Sequence, residues 1–243
     1  VLIDNMQLVR AGRLLDADAR ALLGSGKYPC RNIDHNMADL KAQVAANETG
    51  RQALLKVCTA YGADVVTAYM THVQDNAAES VARVIAGLSD GHFSYPMDEG
   101  QVIKVAVSID HKSRRATVDF TGTSAQHVGN YNAPYAVCRA VVLYVFRTLV
   151  GSDIPLNEGC LAPITIIAPE GSMLNPAYPA AVIAGNTEVS QAMCNALFGA
   201  LGVMAGSQGT MNNFIWGNAD FQNYETIAGG TGAGDGFDGC DAV

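Results

Sequence analysis

Formal charge is scarce in this chain, and none of it is gathered. Asp, Glu, Lys and Arg make up 16% of the 243 residues, the net charge is −8 and the pI is near 5.0. Without a basic cluster, such a surface is unsuited to a phosphate backbone or an anionic membrane. Long apolar runs are missing too. The best candidate, residues 133–150, is interrupted by Arg139 and Arg147, so no segment reads as a bilayer span. Cysteine is sparse for the length: Cys30, Cys58, Cys138, Cys160, Cys194 and Cys240 include no CxxC pair. That excludes a small secreted disulfide scaffold and favours free thiols in a reducing cytoplasm. His35, His72 and His92 show no metal-ligand spacing, and no metal site is expected within the chain. Neither a GxxxxGK[ST] loop nor a strand-anchored GxGxxG occurs, which argues against a nucleotide site here.

What is present is apolar and patterned. Hydrophobic residues reach 49%, enough to bury a sizeable core in one large domain or two small ones. Residues 2–10 read as a strand and residues 14–23 as a short helix. Asn36 resembles a helix cap, with Met37, Leu40, Val44 and Ala45 at helical spacing and Gly50 as the stop. A second short helix follows over residues 54–61. A longer one starts near Asp64, with a core-facing stripe of Val66, Tyr69, Met70, Val73, Ala77, Val81, Val84, Ile85 and Leu88. The period then changes. Ile103, Val105, Val107 and Ile109 alternate with smaller or polar residues, and residues 117–121 return as the partner strand of a hairpin. Helices over residues 136–150 and 189–201 and strands over residues 164–168, 212–217 and 223–228 complete the pattern. The class is α+β: a helical N-terminal third (residues 1–92), then mixed strands and helices (residues 93–243) joined by polar, Gly-rich loops. The absence of Met at Val1 and the glycine run before Val243 suggest the central part of a longer polypeptide.

Five loops share one chemical style. They are Asn130-Tyr131-Asn132, Asn157-Glu158-Gly159-Cys160, Gly185-Asn186-Thr187-Glu188, residues 207–213, and Tyr224-Glu225-Thr226. Amides and hydroxyls donate and accept without formal charge, and the glycines after Ala228 let backbone N–H groups approach a ligand. If the loops converge, they line a pocket for a small polar molecule with carbonyl and amide groups. The competing reading is a set of tight turns whose Asn and Ser residues satisfy their own backbone. Glu225 or Glu188 can serve as a general base or as a structural carboxylate, and Cys160 as a nucleophile or as a buried inert thiol.

Several runs carry a family resemblance. Arg31-Asn32, Asn36, Asp39-Leu40 and residues 42–47, then residues 119–124, Asn132-Ala133-Pro134, residues 153–160, 169–172 and 207–213, and Tyr224-Glu225-Thr226 resemble, in order, the hydantoinase B/oxoprolinase family. Asp4-Asn5-Met6, Tyr28-Pro29 and Gly217-Asn218-Ala219 look most like its oxoprolinases. Ile33 departs from the Pro usual after Arg-Asn, which should loosen the start of that helix.

The resemblance implies the B portion of an ATP-dependent hydrolase of cyclic amides such as 5-oxoproline, inactive as an isolated piece and acting in a cytoplasmic oligomer. A hydantoinase A-like subunit or domain would bind ATP and activate the lactam oxygen. A divalent metal is admitted, with its ligands expected outside this chain. On this reading Glu225, Asn212 and Asn213 are the candidate catalytic residues, and Asn132, Asn157, Asn186, Glu188, Ser207 and Gln208 the substrate-binding ones. The alternatives are a hydantoinase B-like subunit of an ATP-dependent ketone carboxylase and a non-catalytic assembly module.

Overall fold

A computed structural model describes residues 5–27 and 29–241. Residues 2–4 of the expected first strand, and Asp4 and Tyr28 of the resembling motifs, lie outside the described residues. The chain divides into two compact units, residues 1–69 and 70–243. The division falls within one helix.

The first unit begins with a short antiparallel hairpin, β1 (Val9–Arg10) and β2 (Arg13–Leu14). Ala11 and Gly12 between them both have positive φ, the geometry of a two-residue hairpin turn. Helix α1 (Asp16–Leu23) follows. Arg20 bonds Asp16 (2.6 Å) on its own helix and Asp34 (2.7 Å) in the first turn of α2 (Ile33–Tyr61), and Lys41 reaches Asp16 (3.1 Å). Asn32, not Asn36, caps α2: its side chain accepts the His35 N–H at 3.1 Å. Ile33 is therefore the first helical residue, the position where proline is tolerated best. Nor does Gly50 stop the helix. A single mid-helix glycine costs only about 1 kcal/mol against alanine, and good helix formers flank it on both sides. The two expected helices are one.

Helix α3 (Ala63–Ala86) buries its stripe only from Ala77 onward, with Val81, Ala82 and Ile85; Tyr69, Met70 and Val73 before it are exposed. The second unit is built on a four-stranded sheet in the order β3 (Gly91–Pro96), β4 (Val102–Asp110), β5 (Arg115–Asp119), β6 (Ile164–Ile167). The alternation in β4 places Ile103, Val105 and Val107 in the core and Lys104, Ala106 and Ser108 outside. Strand β3 was not apparent in the sequence. It is a half-exposed edge that ends at Pro96, as an edge strand can. The β5–β6 pair is parallel, which requires a crossover, and α4 (Tyr135–Thr148) lies in that connection. Helix α5 (Val189–Leu201) packs on β3, β4 and α4. It ends at Gly202, whose φ of 64° closes the helix in the left-handed region. Val141, Val142, Val145 and Phe146 of α4 and Ala192, Met193, Ala196 and Leu197 of α5 share one core with β4 and α3.

At the turn between β4 and β5, Arg114 grips Glu79 of α3 with two bonds of 2.9 Å. Arg114 first, and Arg83 second, hold the Glu79 carboxyl down to about 2. Among the described residues no helix is long and apolar enough to cross a membrane, and all six cysteines are free.

One close approach in this core is backbone to backbone. A Cβ at Gly91 would run into the Ala200 carbonyl oxygen, whereas one at Gly151 would meet nothing within 4 Å. Gly91→Ala should therefore lower stability by about 1–3 kcal/mol. Gly151→Ala should stay within about 0.5 kcal/mol of the parent in the same urea titration. Equal midpoints for the two variants would contradict this packing of α5 on β3.

Candidate functional site

The polar loops are organised by a buried amide. Asn132 is fully buried, and its Oδ1 accepts the His127 N–H at 2.7 Å. Its Nδ2 donates to the carbonyls of His127 (3.0 Å), Gly129 (3.0 Å) and Ala181 (2.8 Å). A primary amide has two hydrogens to give, so no donor is left over for a ligand. Ala181 is 49 residues away, so this side chain ties two distant loops. The tie continues next door: the Asn130 carbonyl accepts the Ala184 N–H at 3.2 Å, and Gly185 lies so close to the Asn132 carbonyl that a Cβ would not fit.

From there the connection passes to residues 207–213. The Thr187 carbonyl accepts the Met211 N–H (2.9 Å), Glu188 accepts the Thr210 hydroxyl (2.8 Å), and Asn195 of α5 accepts the Ser207 N–H (3.0 Å). Asn212 holds φ at 58°, a region asparagine tolerates better than most side chains, and its carbonyl accepts the Ile227 N–H at 3.0 Å. The hairpin β7 (Asn213–Gly217) and β8 (Gln222–Thr226) is thereby anchored at its base. Four of the five loops form one hydrogen-bonded series.

The fifth stands apart. The Asn157 side chain accepts the Gly159 N–H at 2.8 Å and caps a 3₁₀ turn, Glu158–Leu161, whose Glu158 pairs with Arg139 at 2.7 Å. Cys160 within that turn is completely buried.

Beside the joined loops lies an open groove of about 650 Å³, continuous through Tyr144, Gln191, Phe198 and Ser207 with a recess of about 330 Å³. Ser207, Gln208 and Asn186 reach this groove, and so do Gly229 and Gly230. Among the described residues, no Asp, Glu, His, Lys or Arg lines it. The one thiol there, Cys194, is pushed up to about 11 by burial. Among the described residues, the Ser207 hydroxyl, the Gln208 amide and the N–H groups of Gly229 and Gly230 have no protein acceptor. The groove is thus lined by residues with neutral, unpartnered donors in a mostly apolar wall. Among the described residues it offers no Lys or Arg to the phosphates of a nucleotide. Among the described residues no group of three or more His, Cys, Asp or Glu is placed to hold a metal ion.

Glu188 faces the other way, into a separate small cavity with Asp98, Glu99 and Gln101. Asn212 touches the groove only indirectly, through its packing on Gly229. Asn213 accepts hydroxyl hydrogen bonds from Tyr224 and Thr226, both at 3.1 Å, and Glu225 is exposed on β8 opposite Phe214. Neither lines the groove or the small cavity. Sequence reasoning missed Asn195 and Gln191, two polar residues on a strongly apolar helix, and that contrast was their signal.

The sequence profile of the family described as Hydantoinase B/oxoprolinase matches residues 1–243. The chain is 42% identical over 222 residues to a 5-oxoprolinase of Dictyostelium discoideum, across 88% of this chain and 18% of that protein. It also spans 18% of similar 5-oxoprolinases of Arabidopsis thaliana and Saccharomyces cerevisiae. The fold matches all of this chain to 45% of an ATP-dependent caprolactamase from Pseudomonas jessenii, with a TM-score of 0.77 at 22% identity.

Replacing Asn132 should weaken the site by unfolding its frame. Asn132→Ala leaves buried backbone groups unpaired and should cost about 2–4 kcal/mol in chemical denaturation. Asn132→Asp, which sets a carboxylate against three carbonyls, should cost at least as much. A stable Asn132→Asp protein would show that the amide is not the tie described.

Proposed function

The chain belongs to the hydantoinase B/oxoprolinase family, and from that premise we propose that it forms the B portion of an ATP-dependent cyclic-amide hydrolase opening 5-oxoproline to glutamate. The partner would be a hydantoinase A-like subunit or domain in a cytoplasmic assembly. ATP, bound there, would supply the phosphoryl group that makes the lactam carbon electrophilic.

The observation that carries this reading is the groove's lining. An amide carbon resists water because nitrogen is a poor leaving group. Once the lactam oxygen carries the phosphoryl group, what a protein must supply is a hold on that group while water adds and the C–N bond breaks, and then a place for the charge that develops on the acyl oxygen as a second water displaces phosphate. Fixed neutral donors do this without a counter-charge that would hold the ground state equally well. The Gly229 and Gly230 N–H groups, the Gln208 amide and the Ser207 hydroxyl are such donors, and no described residue accepts from them. Asn186 and Gln191 extend the same chemistry into the recess. Phe198, Val203, Met204 and Leu149 supply an apolar wall that lowers the local dielectric and limits stray water. Glu225 and Asn213 stand outside the groove and carry no step in this account. Asn212 acts on it by holding Gly229 in place. Asn132 and Asn157 serve the frame.

In the complete enzyme, Gln208→Ala and Ser207→Ala should each lower glutamate formation from 5-oxoproline by roughly 100-fold, the usual loss for one such donor. Because activation occurs in the partner portion, the ATP consumed per glutamate should rise. Unchanged turnover in both variants would support a non-catalytic module instead, and a bicarbonate-dependent product would support the carboxylase reading.

A further inference from the structure

The small cavity on the far side of α5 has the opposite chemistry to the groove. It measures about 90 Å³ and is walled by the β3–β4 turn, Tyr95, Tyr131, Gly209 and the N-terminal end of α5. That volume holds a handful of water-sized groups. Among the described residues, three carboxylates, Asp98, Glu99 and Glu188, line it, and no Lys or Arg does.

Gln101 gives the cavity its purpose. It is only 9% exposed, and its side-chain amide makes no hydrogen bond to a described residue. No fully enclosed side-chain polar atom among the described residues lacks a partner, so the Gln101 amide owes its freedom to the cavity it borders. Buried amides are rarely left unused.

Two of the neighbouring acids are met from outside the cavity. Glu188 accepts the Thr210 hydroxyl with one oxygen (Oε1, 2.8 Å), leaving the other uncommitted. His127 accepts the Gly129 N–H at Nδ1 (3.1 Å), so in its neutral form the proton sits on Nε2, which faces Glu99 at 3.6 Å. The imidazole meets Tyr131 edge-on, with ring centres 5.9 Å apart.

We propose that this cavity, where Glu188, Glu99 and the unpartnered Gln101 amide meet, binds a primary ammonium group. Such a group presents three N–H donors and one positive charge, and the cavity presents acceptors and negative charge of matching size. On the function proposed above, its occupant is the nitrogen freed by ring opening. Water adds to the phosphorylated carbon, the C–N bond breaks and the nitrogen leaves as –NH₃⁺, its two added hydrogens coming from that water. A second water then displaces inorganic phosphate from the acyl phosphate and leaves the carboxylate. Acyl oxygen and nitrogen share one carbon in the intact lactam, so the cavity takes the amine only after the C–N bond has broken and the product has left the groove.

The test titrates the full-length protein with methylammonium chloride, and with tetramethylammonium chloride at matched ionic strength, by calorimetry. Methylammonium should bind saturably and tetramethylammonium, which has no N–H, should not. Glu188→Gln and Gln101→Met, which keep shape and should melt at the parent temperature, should each weaken methylammonium roughly tenfold. Glutamate inhibition of lactam opening should weaken in parallel. No saturable methylammonium binding, equal binding of both cations, or unchanged affinity in both variants overturns the proposal. If methylammonium binds as expected but no lactam is opened, the hydrolase reading fails and the cavity stands. If lactam opening depends on Ser207 and Gln208 but methylammonium does not bind, only the cavity assignment fails.

Discussion

Loops that run across a folded chain must satisfy their backbone groups, and here one side chain does this for two loops at once. The Asn132 amide bonds backbone groups of His127, Gly129 and Ala181 in a fully buried setting. Each such bond contributes only about 1 kcal/mol net, but an unpaired buried partner costs more than the bond is worth. The arrangement is therefore held in place mainly by what its loss would expose. With residues 127–132 fixed to Ala181, the Ala184 N–H finds Asn130, Thr187 meets Met211, and the Asn212 carbonyl takes Ile227. Ser207, Gln208 and the Gly229-Gly230 pair come to one groove as a consequence.

Helix α5 divides two kinds of chemistry by its periodicity alone. Gln191, Cys194 and Phe198 fall at i, i+3 and i+7 and face the groove. Glu188 and Ala192, at i and i+4, face the acidic cavity. Asn195, one turn further on, holds the Ser207 N–H, so the loop that separates the two spaces is pinned to the helix that also separates them. Charge is kept to one side. In a partly desolvated space a stray carboxylate would oppose the negative charge expected on an acyl oxygen, and the uncharged groove avoids that conflict.

Much of the fold could be read from periodicity. The alternation in β4 and β5 and the apolar helices α4 and α5 follow directly from the spacing of their hydrophobic residues. Local punctuation misled in two places. Gly50 looked like a stop, yet no tight turn or cap follows it and α2 runs through. His92 and Ser94 hid β3, because an edge strand with a half-exposed face needs little apolar alternation. The α3 stripe read as continuous core is buried only from Ala77 on, because periodicity shows a face and not what covers it.

The site was legible as chemistry but not as geometry. The choice of polar loops pointed to an amide-rich surface, but the ties that gather four of them are backbone bonds between residues as much as 54 apart. No side-chain pattern reports such bonds. Asn132 stood out in sequence because it is special, but its role is internal. Gln101 did not stand out, since one polar residue after a turn carries no signal until its burial is known.

The most direct test is the position of a bound lactam in the complete enzyme. A crystal structure with an unreactive cyclic amide should show its carbonyl oxygen within hydrogen-bonding distance, about 2.7–3.2 Å, of the Gly229 or Gly230 N–H groups. A lactam bound elsewhere, with that glycine pair untouched, would contradict the account.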